Sequence, residues 1–268
     1  METKKGTTAK ARSKGASAAF IIFACFVVAA TFFFVVCGDP ANFDEKGHPL
    51  PGNAFGALYM GGVVIPCVMT LLLTAFTLSI ERIFAMSRAN GKGNVAKFVF
   101  NVKQKIENGD IAAANKLCDE QKGSVANILK AALIRYEDVE KTTGLNNDEK
   151  AAIIQKEVEE ATTLELPYLE KNLNIIASIS SLGTLLGLLG TVIGMIRAFS
   201  ALAAEGAADS LALSTAISEA LLNTAMGIGT GAVAIISYTY FSGRIQNLTN
   251  AVDEVGFAIG QTYATTHK

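Results

Sequence analysis

One acidic residue interrupts the apolar run from Leu211 to Gly243, and it is Glu219. A carboxylate in hydrocarbon is costly and marks a candidate site for handling charge. Two placements meet that cost. Either Glu219 faces a cavity or a partner, or it lies near the outer interface, about two helical turns in from Leu211, paired or snorkelling. Along the same helix edge lie Thr215, Asn223 and Thr230, beside a face of small residues made by Ala220, Thr224, Gly227, Gly231 and Ala234. A second run, Asn172 to Ile196, carries Gly183, Gly187, Gly190 and Gly194 three or four apart, with Ser180, Thr184, Thr191 and Ala198 nearby. Small residues at that spacing let helices approach closely in lipid. Such faces serve as packing seams or as pore walls, and their hydroxyls line a pore or bond back to their own helix. Arg197, closing the first of these runs, is expected to snorkel to the interface.

Little else in the chain offers chemistry. Cys25, Cys37, Cys67 and Cys118 form no Cys-x-x-Cys pair, so neither a zinc site nor a disulfide framework is expected. His48 and His267 have no Cys, Asp or Glu at metal-ligand spacing. No nucleophile–base pair, phosphate loop or cofactor motif is present, so an enzyme is not expected. A net charge of −1 and a pI near 6.2 give no reason to expect nucleic-acid binding.

The elements that would position Glu219 and the threonines are those of a polytopic membrane protein. Half of the 268 residues are hydrophobic, and long uncharged runs alternate with polar blocks. Residues 1–15 form a basic tail. An apolar run at 16–37 reads as a retained membrane helix, because it is long for a secretory signal and no small-residue cleavage site follows. A Pro/Gly/Asn loop at 38–55 leads to a second span at 56–80, with a kink expected at Pro66. The block 81–171 is charged and helical, with a break around Gly123. From Asp148, apolar residues at helical spacing predict a helix that bends at Pro167 and feeds directly into the third span, 172–204. A short loop at 205–210 joins it to the fourth, 211–243. Beyond Arg244, the seam Ile245, Leu248, Val252, Val255 and Ile259 predicts a helical extension at 244–268. Lys and Arg concentrate in the tail and in 81–171, so the positive-inside rule places both termini and the large block in the cytoplasm and the loops 38–55 and 205–210 outside.

The segments Asn172-Leu173-Asn174-Ile175-Ile176 through Leu185-Leu186-Gly187-Leu188-Leu189-Gly190-Thr191-Val192-Ile193-Gly194, and Ile217-Ser218-Glu219-Ala220-Leu221-Leu222-Asn223-Thr224-Ala225-Met226-Gly227, resemble the second and third core helices of the ExbB/TolQ proton-channel family. Asn108-Gly109-Asp110 and the helices after it resemble that family's loop domain less specifically. The likeness covers about residues 57–260. It implies an all-α, four-span protein whose long helices extend into a cytoplasmic helical domain, assembled as a homopentamer in the bacterial inner membrane. In the pore it implies a dimer of single-span ExbD/TolR-like partners whose aspartate takes and releases protons. The work is delivered through a TonB-like protein to a TonB- or Tol-type system that imports siderophores, vitamins or other nutrients, or maintains the envelope. A motility stator and a non-conducting scaffold are the alternatives. By motif position, Thr191 and Thr224 become pore-facing hydroxyls and Glu219 a polar residue higher in the lumen, with Thr184 and Asn223 beside them. The six glycines at 183, 187, 190, 194, 227 and 231 become packing positions. Two departures stand out: Gly183-Thr184 replaces the family's usual Ala-Pro, and the first span is additional to the usual three.

Overall fold

A computed structural model describes residues 18–45, 47–205 and 210–266; the basic tail at 1–15, Lys46, most of the loop at 205–210 and His267 lie outside them. All regular structure among the described residues is helical, apart from one isolated bridge between Phe43 and Pro49. Four stretches are long and apolar enough to cross a membrane, within Ala18–Cys37, Val64–Glu107, Leu173–Ser200 and Leu213–Ala264. The chain folds as two units, residues up to Thr74 with Gly183–Ile228, and Ala75–Leu182 with residues from Gly229 onward.

In the first unit, α1 (Ala18–Thr31) runs on into a π-helical segment, Phe32–Cys37. Its buried residues are Cys25, Ala29, Phe33 and Cys37, four apart, while Phe20, Phe23, Phe26 and Phe34 are exposed. A four-residue step overshoots the α-helical turn by about 40°. The wider π turn absorbs that drift, so Phe33 and Cys37 share a cluster with Ile65. Asparagines then hold the loop. Asn42 Nδ2 donates to the carbonyls of Val36 at 2.7 Å and Cys37 at 3.2 Å, satisfying the end of the helix. Asn53 Nδ2 donates to Asn42 Oδ1 at 2.9 Å, while Asn53 Oδ1 caps α2 (Ala54–Met60). Tyr59 of α2 stacks on Phe33 with centroids 5.0 Å apart.

The apolar run 56–80 does not form one kinked helix. It is divided between α2 and α3 (Val64–Asn90) by a turn in which Gly62 takes φ +69°. Pro66 therefore stands in the first turn of α3, where a missing N–H costs nothing. The helix continues past Glu81 and Arg82.

In the second unit, α4 (Val95–Glu107), α5 (Ile111–Gln121), α6 (Ser124–Glu140) and α7 (Asn147–Glu170) enclose a core with Ile245, Leu248, Val252, Val255 and Ile259. Those five belong to α9 (Ser210–Thr266), one helix of 57 residues. Cys118 is buried there, and burial pushes its thiol up to about 12. Gly123, at φ +95°, makes the break between α5 and α6.

The helix before the third span does not pass into it at Pro167. Its end falls at Lys171-Asn172, with Asn172 at φ +63°, and α8 (Leu173–Glu205) starts afresh. Asparagine tolerates that left-handed conformation better than most residues. Arg82 makes the ending affordable to the backbone. Its side chain is 2% exposed, and Nη1 donates to the carbonyls of Leu169 at 3.2 Å and Tyr168 at 3.4 Å. Those carbonyls belong to the last turn of α7, which lacks intrahelical donors and favours a cation. The guanidinium also grips Glu81 through Nε and Nη2 at 2.8 and 2.6 Å, and Glu81 accepts from Asn172 Nδ2 at 3.3 Å.

Within the first unit α8 and α9 run antiparallel in close contact. Gly183, Gly187, Gly190 and Gly194 are all buried, as are Ala220, Asn223 and Gly227; Gly231 is buried one turn further on. A Cβ placed on Gly227 would stand 2.5 Å from Gly187 Cα and 2.6 Å from the Gly183 carbonyl. Backbone meets backbone there, and no side chain could give way.

Two substitutions test these contacts. Arg82→Leu, which strands Glu81 and two helix-end carbonyls, should lower the protein's stability by about 2–4 kcal/mol. An unfolding midpoint in detergent equal to the parent's would refute the role given to Arg82. Gly227→Leu should cost at least ~1–3 kcal/mol by forcing α8 and α9 apart. Its thermal midpoint, followed by size exclusion of the folded fraction, should fall; an unchanged midpoint would mean that the glycines do not set the spacing.

Candidate functional site

The five polar residues singled out in the two spans are not gathered equally. Thr191 of α8 and Thr224 of α9 are brought together: their hydroxyls are in direct contact. Thr224 Oγ1 also donates to the Gly187 carbonyl at 3.1 Å. Thr191 lies 3.4 Å from that same oxygen. The contact follows from the seam. With Gly187 set against Gly227, Gly190 against Asn223 and Gly194 against Ala220, the residues next to these pairs are drawn together. Each hydroxyl can donate and accept, so the pair can hydrogen-bond a carboxyl in either protonation state. Thr191 also borders an open, mainly apolar trough of about 610 Å³ lined by Leu188, Val192, Met195, Ile196 and Phe199.

Glu219 is half-buried on α9, one turn before the Asn223–Thr224 pair. It lines a cavity of about 450 Å³ with Ser218, Met60 and four residues of the 38–55 loop, Asp44, His48, Pro49 and Pro51. The Arg197 guanidinium lies within electrostatic reach of Glu219 and against Gly62, whose added Cβ would meet Nη1 at 3.2 Å. Sequence reasoning sent Arg197 outward to the interface. The structure gives it a neighbour in the turn that divides α2 from α3, which the uniform hydropathy of that run conceals.

Asn223 and Thr184 stand apart from the hydroxyl pair. Thr184 is exposed on α8, about two turns from Thr191. Asn223, expected along the edge shared with Glu219, is 4% exposed. Its Nδ2 donates to the Gly61 carbonyl at 3.1 Å, and its Cβ fills the space left by Gly190. Gly61 is the residue that sequence reasoning missed. The Gly61-Gly62 doublet was the available signal, since paired glycines favour a turn as readily as a helix in an apolar run. No cluster of metal-ligating side chains occurs among the described residues.

Residues 120–254 match the MotA/TolQ/ExbB proton channel family. Among similar proteins, an ExbB-like biopolymer transport protein of Synechocystis is 31% identical over 170 residues, covering 63% of this chain and 75% of that protein. The Tol-Pal system protein TolQ of Pseudomonas aeruginosa is 27% identical over 191 residues, covering 69% and 81%. A biopolymer transport protein ExbB homolog of Methanothermobacter thermautotrophicus is 23% identical over 205 residues, covering 75% and 68%. With a match over half its length, and four apolar helices of spanning length, this chain belongs to the MotA/TolQ/ExbB proton channel family.

Proposed function

We propose that this chain is the channel subunit of an inner-membrane motor that uses the proton-motive force to energise a TonB- or Tol-type outer-membrane system. The observation that carries the reading is the hydroxyl pair. Thr191 and Thr224 meet on a seam of small residues beside an open apolar trough, where a single-span helix could lie. A carboxyl on such a helix would find two groups able to donate or accept, and neither 173–196 nor 211–243 holds a Lys or Arg to fix its charge. Glu219 is the one acidic residue of the run 211–243, with Arg197 near it. The key proton carrier is therefore expected on a partner of the ExbD/TolR type, with five copies of this chain around two of that partner and a TonB-like protein receiving the work. Similarity to proteins named ExbB and TolQ supports that assembly.

The concentration of Lys and Arg in the tail and in 81–171 supports cytoplasmic termini and a cytoplasmic helical domain. The loop carrying Asp44 and His48 then faces the periplasm, and Glu219 stands nearer that side than the hydroxyl pair.

Thr224→Val keeps the shape of the side chain and removes its hydroxyl, while Glu219→Ala removes the carboxylate. In liposomes that hold the chain with its single-span partner, each should lower proton flux by about tenfold or more, equivalent to ~1.4 kcal/mol or more on the barrier. The assembly should survive both changes on a native gel. Parent-level flux in both variants would remove the proposed site, and no flux above background in the parent would leave a scaffold.

A further inference from the structure

Asn223 is the exception in its row. Ala220, Thr224 and Gly227 are small, and the space around them admits backbone contact; Asn223 is larger, buried and polar. Half of its amide is used. Nδ2 donates to the Gly61 carbonyl, while Oδ1 is buried without a hydrogen-bond partner. A buried polar group left half-satisfied is costly, and a leucine would fill the same space in an apolar span without that cost. The donor is what the position gains.

Gly61 needs that donor. It lies between the end of α2 and the start of α3, so no following helical turn reaches its carbonyl. Its own N–H donates to the Leu58 carbonyl at 3.2 Å, and Gly62 N–H donates to the Tyr59 carbonyl at 3.1 Å. Tyr59 in turn stacks on Phe33 of the first helical stretch. On its other side Asn223 abuts Gly190, so its Cβ and the Gly190 backbone fix one another. Thr224 follows Asn223 directly, and Thr191 follows Gly190 directly. The clamp thus sits one residue from both hydroxyls.

We propose that Asn223 is a positioning residue: by tying the Gly61 turn to α9 and wedging against Gly190, it sets the rotation of α9 at which Thr224 meets Thr191. The proposal rests on the reading of that pair as part of the proton path. It also gives the additional first helix a task, because the turn that Asn223 holds is braced by Phe33 through Tyr59.

The test uses Asn223→Leu, which matches asparagine in size and cannot donate, with Asn223→Ala beside it. Two quantities are read in the full chain with its partner in membranes. One is the rate of oxidative cross-linking of Thr191→Cys to Thr224→Cys, in a background with the four native cysteines replaced by alanine. The other is proton flux, measured with both threonines intact. Asn223→Leu should slow cross-linking and reduce flux severalfold or more, with folded yield near the parent's, and Asn223→Ala should do at least as much. If the side chain only fills space, Asn223→Leu will match the parent in both, and the proposal is overturned. Reduced flux with cross-linking at the parent's rate also overturns it, because Asn223 would then act without moving the hydroxyls. Slower cross-linking with parent-level flux sustains the clamp and instead rejects the hydroxyl pair as the proton path.

Discussion

In lipid no hydrophobic force presses one apolar helix against another, so close association depends on how nearly two backbones can approach. The Gly187–Gly227 contact meets that condition in the first unit: a Cβ on either glycine would collide with the other's backbone. The remaining geometry of the seam descends from it. Antiparallel helices held at that spacing bring Gly190 to Asn223 and Gly194 to Ala220, and they leave Thr191 and Thr224 with their hydroxyls touching. Widening the seam by one methyl group would separate these hydroxyls before it exposed any apolar surface to water.

A second constraint acts wherever a helix stops. Carbonyls at helix ends and in turns need donors, and in an apolar surrounding water cannot be relied upon to supply them. Here the donors are side chains, one from the adjoining loop and two from far away in sequence. Asn42 serves the end of the first helical stretch, Asn223 the Gly61 turn, and Arg82 the end of α7. Each joins segments that glycine or asparagine has allowed to part. A buried donor on one helix answering a backbone break elsewhere thus recurs in both units, as Asn223 in the first and Arg82 in the second.

What the sequence made legible follows the physics of each signal. Four uncharged runs of spanning length are a strong signal, and four helices of that kind are present among the described residues. Helix breaks were harder to read. Pro66 drew attention as a kink, yet proline in a first helical turn is unremarkable; the break was encoded by Gly61-Gly62 just before it, hidden because hydropathy treats glycine as neutral. Pro167 drew attention in the same way, while the ending came at Lys171-Asn172, where Arg82 bonds the Leu169 carbonyl from 87 positions away and Glu81 bonds the Asn172 side chain from 91. Long-range partners of that sort have no local signature. For the candidate site, residue types and helical spacing were sufficient to nominate Thr191, Thr224 and Glu219. They could not tell which side of α9 Asn223 would take, since its edge lies between the seam and the Glu219 edge and the Gly61 carbonyl decides.

The layout of charge bears on why such a chain would need a partner. On α9, no Asp, Glu, Lys, Arg or His occurs between Glu219 and Arg244. At 1.5 Å per residue that gap corresponds to about 37 Å of helix, longer than the ~30 Å hydrocarbon core of a bilayer. The run from Leu173 to Ile196 on α8 is also without ionisable side chains of those kinds. Hydroxyls can relay a hydrogen bond, but at neutral pH they do not hold a proton or give one up as a carboxylate does. A path through these spans alone would therefore have one proton-binding station at Glu219 and none beyond the threonines. Under the proposed function the missing station belongs to another chain, and the small and hydroxylated residues beside an apolar trough would leave room for a helix that carries it. On that proposal, conductance depends on the second chain's carboxyl passing the Thr191–Thr224 pair, and the narrow backbone seam of α8 and α9 holds that pair still while the carboxyl moves.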